Sequence, residues 1–128
     1  MNQKYLLDTD VLVAYLRGYT QTVDLLKVLA RNGALFSLSV VTVVEIEAGV
    51  RSSERAKTGE LLDNLEIHPL DVSTAHLAGS FLRQHRQKGV SLSLADVVVA
   101  ATAVAKNLIL LTYNQRHYPM REVRLYKT

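Results

Sequence analysis

The 128-residue chain contains no cysteine and no tryptophan, and it has only two prolines. Without cysteine there are no disulfides, no thiolate ligands and no thiol nucleophile, so any metal ion must be bound by oxygen or imidazole groups. No stretch approaches the ~18 apolar residues that a membrane-spanning helix requires, and Asp8 interrupts any signal-like apolar core near the N-terminus. These absences predict a soluble, cytoplasmic protein with no membrane partner.

Hydrophobic residues make up 48% of the sequence, enough for a single domain over residues 1–128 to build its own core. Fifteen lysines and arginines against twelve aspartates and glutamates give a formal net charge of +3. This mild basic excess is compatible with a polyanionic partner such as RNA, but many basic proteins bind no nucleic acid.

Short apolar runs alternate with segments of helical periodicity along the chain. The runs KYLLD, ALFSLS, EIHPLD, LILLT and VRLYK are typical of strands, and the segments between them repeat apolar residues at helical spacing. This alternation predicts an α/β fold of three layers, with a central, mainly parallel sheet of four to five strands flanked by helices. Ligands of such sheets bind beyond the carboxyl ends of the strands, where Asp8 and Thr112 fall.

Three acidic residues stand in segments that otherwise read as core: Asp8, Glu45 and Asp96. Each has an ordinary explanation, as a helix N-cap, a solvent-facing side chain or part of a capping box. Together they can converge on one edge of the sheet, where carboxylates about 5 Å apart repel by roughly 3 kcal/mol per pair. Such a cluster must be hydrated, partly protonated or neutralised. Hard oxygen ligands select Mg²⁺ or Mn²⁺, which suits phosphodiester hydrolysis.

Two further acids, Glu47 and Asp10, lie close in sequence to these three and are interpreted differently from them. Glu45 and Glu47 lie about 200° apart on a helix, so only one can face the site, and the small residues on the Glu45 face favour Glu45. Asp10 follows Asp8 by two residues and is interpreted as a cap or as a support for Asp8.

Four segments, taken in order, resemble the PIN-domain nucleases, and among them the VapC-type toxins of prokaryotic toxin–antitoxin pairs. They are YLLDTDVLVAYLRG, SLSVVTVVEIEAGV with its E-x-x-x-G, SLADVVVAATAVAKN with its D-x-x-x-A-A, and LLTYNQRHY, which is similar to a T-x-N-x-x-[DH]-F ending. The resemblance covers nearly the whole chain and implies a PIN-like fold.

This resemblance implies a Mg²⁺- or Mn²⁺-dependent endoribonuclease that hydrolyses RNA phosphodiesters. The acids of the family fall on the expected metal ligands: Asp8, Glu45 and Asp96. Its last polar positions fall on Thr112, Asn114 and His117. Thr112 and Asn114 are expected to position the ion or the attacking water, and His117 to orient a carboxylate, contact RNA or face solvent. The fullest pattern has a fourth acid in this last motif, where Asn114 offers an amide oxygen but no charge, so a single ion is expected.

The resemblance also implies partners, namely an RNA substrate, a small cognate antitoxin and a second copy of the chain in a homodimer. Basic residues around His85 are expected either to face solvent or to contact RNA phosphates. Tyr15, Tyr113 and Tyr118 are expected either to pack in the core or at its rim, or to stack on bases.

Two other functions stay open. YLLDTDVLV also fits the opening of haloacid dehalogenase-like phosphatases, but that class needs a later lysine and paired acids, and no such pair follows Lys106. The second alternative is a catalytically silent PIN-like domain that only binds RNA or protein.

Overall fold

A computed structural model describes residues 2–127. Its strands are β1 (Lys4–Leu7), β2 (Leu35–Ser39), β3 (Glu66–His68), β4 (Ile109–Leu111) and β5 (Arg124–Leu125). Its α-helices are α1 (Thr9–Leu16), α2 (Thr20–Arg31), α3 (Val40–Gly49), α4 (Arg55–Asp63), α5 (Val72–Gln87) and α6 (Leu94–Ala105). Short 3₁₀ helices cover Ser52–Glu54 and Gln115–His117.

The five strands form one sheet in the order β3-β2-β1-β4-β5, and every neighbouring pair is parallel. In the register of the central strand β1, Leu6 lies opposite Ser37 of β2 and Leu110 of β4. The predicted α/β fold is confirmed, and the sheet is parallel throughout rather than mainly so.

Helices cover both faces of the sheet. Side chains alternate between the two faces of each strand, so each face carries apolar side chains that pack against helices. Leu6 of β1 packs in a cluster with residues of α5 and α6, including Phe81. Tyr5 and Leu7 pack on the opposite face, in a cluster with residues of α1, α2 and α3. These two cores make the three layers that the alternation of strands and helices predicted.

The carboxyl edge of the sheet carries the starts of three helices with polar caps. Asp8 follows β1 and caps α1, Ser39 ends β2 and caps α3, and Ser93 caps α6. None of the helices described within residues 2–127 has the length and apolar character that crossing a membrane requires.

Two local details differ from the sequence-based expectation. The segment SSERAKTGELLDNL does form a helix, but its serines lie in the 3₁₀ turn and α4 begins only at Arg55. His85 was expected at the surface, yet it is buried, and its Nδ1 lies 2.9 Å from the carbonyl oxygen of Phe81. His85 is buried because it lies on the inner face of α5, although its neighbours in sequence are basic.

Candidate active site

Asp8 lies directly after β1, and its side chain is buried. It is the centre of a polar cluster that also contains Thr112, Tyr118 and Asp96. Its Oδ1 accepts the backbone N–H of Thr9 at 2.8 Å. Its Oδ2 accepts two hydroxyl groups, from Thr112 at 2.8 Å and from Tyr118 at 2.7 Å. Hydrogen bonds to an ionised acceptor are strong, so three of them fix the orientation of this carboxylate.

Asp96 reaches the same cluster from the first turn of α6. Its backbone N–H donates to Oγ of Ser93 at 3.0 Å, which is one half of the expected capping box. The carboxylate turns away from Ser93, and its Oδ2 lies 3.3 Å from Nδ1 of His117. Its Oδ1 lies 3.4 Å from the hydroxyl oxygen of Tyr118. The Asp96 side chain is therefore directed to the site rather than to its own helix cap.

Glu45 of α3 is connected to Asp8 through one residue. Thr9 Oγ1 donates to Glu45 Oε1 at 2.6 Å, while the backbone N–H of Thr9 binds Asp8. Glu45 is exposed and lines a cleft of about 100 Å³ together with Arg17. Glu47 is also exposed, and among the described residues it has no hydrogen bond or ion pair. The polar contact therefore falls on the Glu45 face of the helix.

Asp10 ties α1 to the segment that follows β4. Its Oδ1 accepts the N–H of Val11 at 2.7 Å, and its Oδ2 accepts the N–H of Tyr113 at 3.0 Å. Burial, followed by the negative charge of Asp8, raises the pKa of Asp10 to about 6, against the opposing effect of the two N–H donors. Asp10 therefore lies in the first turn of α1, whose N-cap is Asp8, and its hydrogen bonds are to backbone N–H groups and not to Asp8.

Thr112 and Asn114 take different places. Thr112 is buried at the end of β4, and its hydroxyl donates to Asp8 while accepting the N–H of Asn114 at 3.0 Å. Asn114 thus joins the cluster through its backbone, and its residue is exposed at the start of the 3₁₀ turn. His117 is 55% exposed at its side chain and contacts Asp96.

Tyr118 is the contact that sequence reasoning missed. The core packing considered for it is what the structure shows, since Tyr118 is only 3% exposed. The position of its hydroxyl between Asp8 and Asp96 was not predicted. The sequence did carry a signal, namely a tyrosine where the similar family ending has phenylalanine. Burial, then the charge of Asp8, raises the pKa of Tyr118, so this hydroxyl stays a donor. Tyr113, by contrast, is half exposed and its hydroxyl contacts that of Thr22.

The donor set suits a hard divalent cation. As the side chains stand, residues 2–127 contain no group of three acidic or histidine residues arranged around one ion position. However, Asp8 and Asp96 both contact the hydroxyl of Tyr118. Mg²⁺ retains several waters and is commonly held by only one or two carboxylates, so a site does not need three acids in direct contact with the ion. By the chemistry of its oxygen donors, the site therefore fits a hard divalent cation.

Similarity to known proteins shows the family of the chain. A PIN domain family model matches residues 5–123. Ribonuclease VapC10 of Mycobacterium tuberculosis is 38% identical over 117 residues, covering 91% of this chain and 87% of that protein. Ribonuclease VapC19 of the same species is 33% identical over 115 residues, covering 90% and 92% respectively. The crystal structure of VapBC2 from Rickettsia felis, bound to a DNA fragment from its promoter, matches with a TM-score of 0.86 and 22% identity over 97% of this chain and 98% of that chain. The chain therefore belongs to the PIN-domain family, among its VapC ribonucleases.

Proposed function

We propose that this VapC-type endoribonuclease hydrolyses RNA at the carboxyl edge of its sheet, using Mg²⁺ or Mn²⁺ held by Asp8, Asp96 and Glu45. The observation that carries the proposal is the meeting of Asp8 and Asp96 at one hydroxyl, at 2.7 and 3.4 Å. Metal dependence is typical of the family. The family match also removes the main support for a haloacid dehalogenase-like phosphatase.

Each residue has a distinct task in this proposal. The bound ion supplies Lewis acidity that activates water and offsets negative charge on the scissile phosphate. Asp8 presents a carboxylate whose orientation is fixed, and Thr112 acts on the ion through Asp8, because its hydroxyl is already engaged there. Asp96 and Glu45 supply further oxygen ligands from α6 and α3. Asn114, exposed at the rim, orients the attacking water through its amide.

A cognate antitoxin is the protein partner in this proposal. The solved relatives include VapBC2 of Rickettsia felis and a toxin–antitoxin complex from Klebsiella pneumoniae. The proposed assembly is a homodimer, supported by exposed apolar side chains on α3 and at the start of α6, namely Val40, Val44 and Leu94. The proposal includes action on RNA in the cytoplasm.

An RNA cleavage assay tests the catalytic proposal. The purified protein is incubated with a mixed RNA pool in Mg²⁺, in Mn²⁺ or in EDTA. We expect cleavage with either ion and none in EDTA. Asp8→Asn should lose cleavage, whereas the matched control Asp24→Asn, at an exposed position of α2, should retain it.

The other outcomes identify other functions. Cleavage that persists in EDTA or in Asp8→Asn would contradict the metal site. If no RNA is cut under any condition, the chain is a silent binding module, and hydrolysis of an aryl phosphate would restore the phosphatase alternative. Co-expression with the neighbouring reading frame should suppress cleavage if that frame encodes the antitoxin, and light scattering reports the dimer.

A further inference from the structure

The hydroxyl of Tyr118 occupies a position that determines how Asp8 can bind a cation. A carboxylate has about four lone-pair directions, two on each oxygen. At Asp8, Oδ2 already accepts the hydroxyls of Thr112 and Tyr118, and Oδ1 accepts the N–H of Thr9. One acceptor direction is therefore left, and it belongs to Oδ1.

The same hydroxyl oxygen lies 3.4 Å from Oδ1 of Asp96. Its single hydrogen points to Asp8, which is the shorter contact, so the phenol separates the two carboxylates while engaging one of them. The ring is held firmly, because Tyr118 is buried in the core cluster that includes Leu6 and Val97. The position of the hydroxyl is thus set by packing and not by the acids that it contacts.

We propose that Tyr118 is a positioning residue, which engages Oδ2 of Asp8 and holds that carboxylate in the orientation in which it would bind the divalent cation. This inference rests on the proposed function, because it requires that Asp8 and Asp96 hold the ion. Groups that hydrogen-bond to metal ligands raise metal affinity by fixing the orientation of those ligands. Since the similar family ending has phenylalanine here, the hydroxyl adjusts the affinity of the site rather than creating it.

Tyr118→Phe removes this one hydroxyl and keeps the buried ring, and Tyr126→Phe is the matched control. Tyr126 packs edge-on against Tyr5 at a centroid distance of 5.9 Å, and in the described part of the chain its hydrogen bonds use only its backbone. Calorimetric titration with Mn²⁺ gives the Kd of each protein without any RNA. We expect Tyr118→Phe to raise the Kd for Mn²⁺ by about tenfold, the lower end of what such contacts contribute, and Tyr126→Phe to leave it unchanged.

The titrations separate the two proposals. A wild-type protein that binds no Mn²⁺ overturns the proposed metal site and this inference with it. If wild-type binds Mn²⁺ and Asp8→Asn weakens that binding, the metal site stands. An unchanged or lower Kd in Tyr118→Phe then overturns the role of Tyr118 alone. Urea unfolding in EDTA identifies a merely structural hydroxyl, because that role would lower stability and leave the Kd for Mn²⁺ unchanged.

Discussion

Oδ2 of Asp10 accepts the backbone N–H of Tyr113 at 3.0 Å, and so joins the first turn of α1 to the segment that follows β4. That segment carries Asn114 and leads to Tyr118, so this contact fixes the start of the segment beside α1. Within residues 2–127, Asp10 has no hydrogen bond to Asp96 or Glu45, so it acts on the site through the backbone that it binds.

Two substitutions of Asp10 should show how much its two hydrogen bonds contribute to the free energy of unfolding. Asp10→Ala removes the acceptors of both N–H groups, and we expect a loss of about 1–2 kcal/mol in the free energy of unfolding. Asp10→Asn keeps one carbonyl oxygen and relieves the repulsion from Asp8, so its loss should be less than half as large. Urea unfolding in EDTA measures both. Wild-type stability in Asp10→Ala would show that the segment does not depend on this contact.

The two glutamates of α3 should differ in activity and not in stability. Glu45→Gln keeps an oxygen that can accept the hydroxyl of Thr9, but it loses the charge, so RNA cleavage should be lost while the thermal unfolding temperature stays near that of wild-type. Glu47→Gln, on the other face, should cleave normally. Comparable losses in the two variants would contradict the assignment of Glu45 to the site.

The contribution of Ser93, the N-cap of α6, to the stability of the protein should be measurable separately. Ser93 Oγ accepts the N–H of Asp96, and Ser93→Ala should cost about 1 kcal/mol of stability, as N-cap losses typically do. Ser93→Thr should restore most of it. Ser91→Ala is the control, because Ser91 is exposed and precedes the cap. Equal unfolding midpoints for Ser93→Ala and Ser91→Ala in urea would rule out a contribution from the cap.

His85 should behave as a core residue. Its burial and its contact with the Phe81 carbonyl lead us to expect that His85→Ala lowers the free energy of unfolding by about 1–3 kcal/mol. Well below the unfolding temperature, its RNA cleavage rate should equal that of wild-type. His76→Ala, at an exposed position on the same helix, should change neither quantity. A stable His85→Ala protein with slower cleavage would return His85 to the RNA-contact role.

Much of the fold follows from local pattern. The apolar runs predict all five strands, and the rule that ligands bind at carboxyl ends correctly brings Asp8 and Thr112 to the same edge. Their direct hydrogen bond depends on β1 and β4 being neighbours, which periodicity does not specify. The pattern S-L-A-D likewise predicts where α6 begins, but not that the Asp96 side chain turns towards Tyr118 and His117.

Two features were missed for different reasons. His85 stands in a basic stretch, but it continues the buried face of α5 at helical spacing from Ala78 and Phe81, so the periodicity carried a signal that the basic composition obscured. The hydroxyl of Tyr118 meets Asp8 across 110 positions of the chain, a separation at which local composition carries no information. The metal site itself stays a prediction, supported by the oxygen donors that meet at Asp8 and Asp96.

The placement of Asp8 directly after the central strand has a consequence for biosynthesis. Its two hydroxyl donors follow it by 104 and 110 residues. Contacts of such long sequence separation form late, once the intervening chain has been made and folded. A growing chain that ends before Thr112 lacks both donors, so neither hydroxyl can yet orient the carboxylate of Asp8. A nuclease built in this way completes its cutting centre only after Tyr118 has been synthesised.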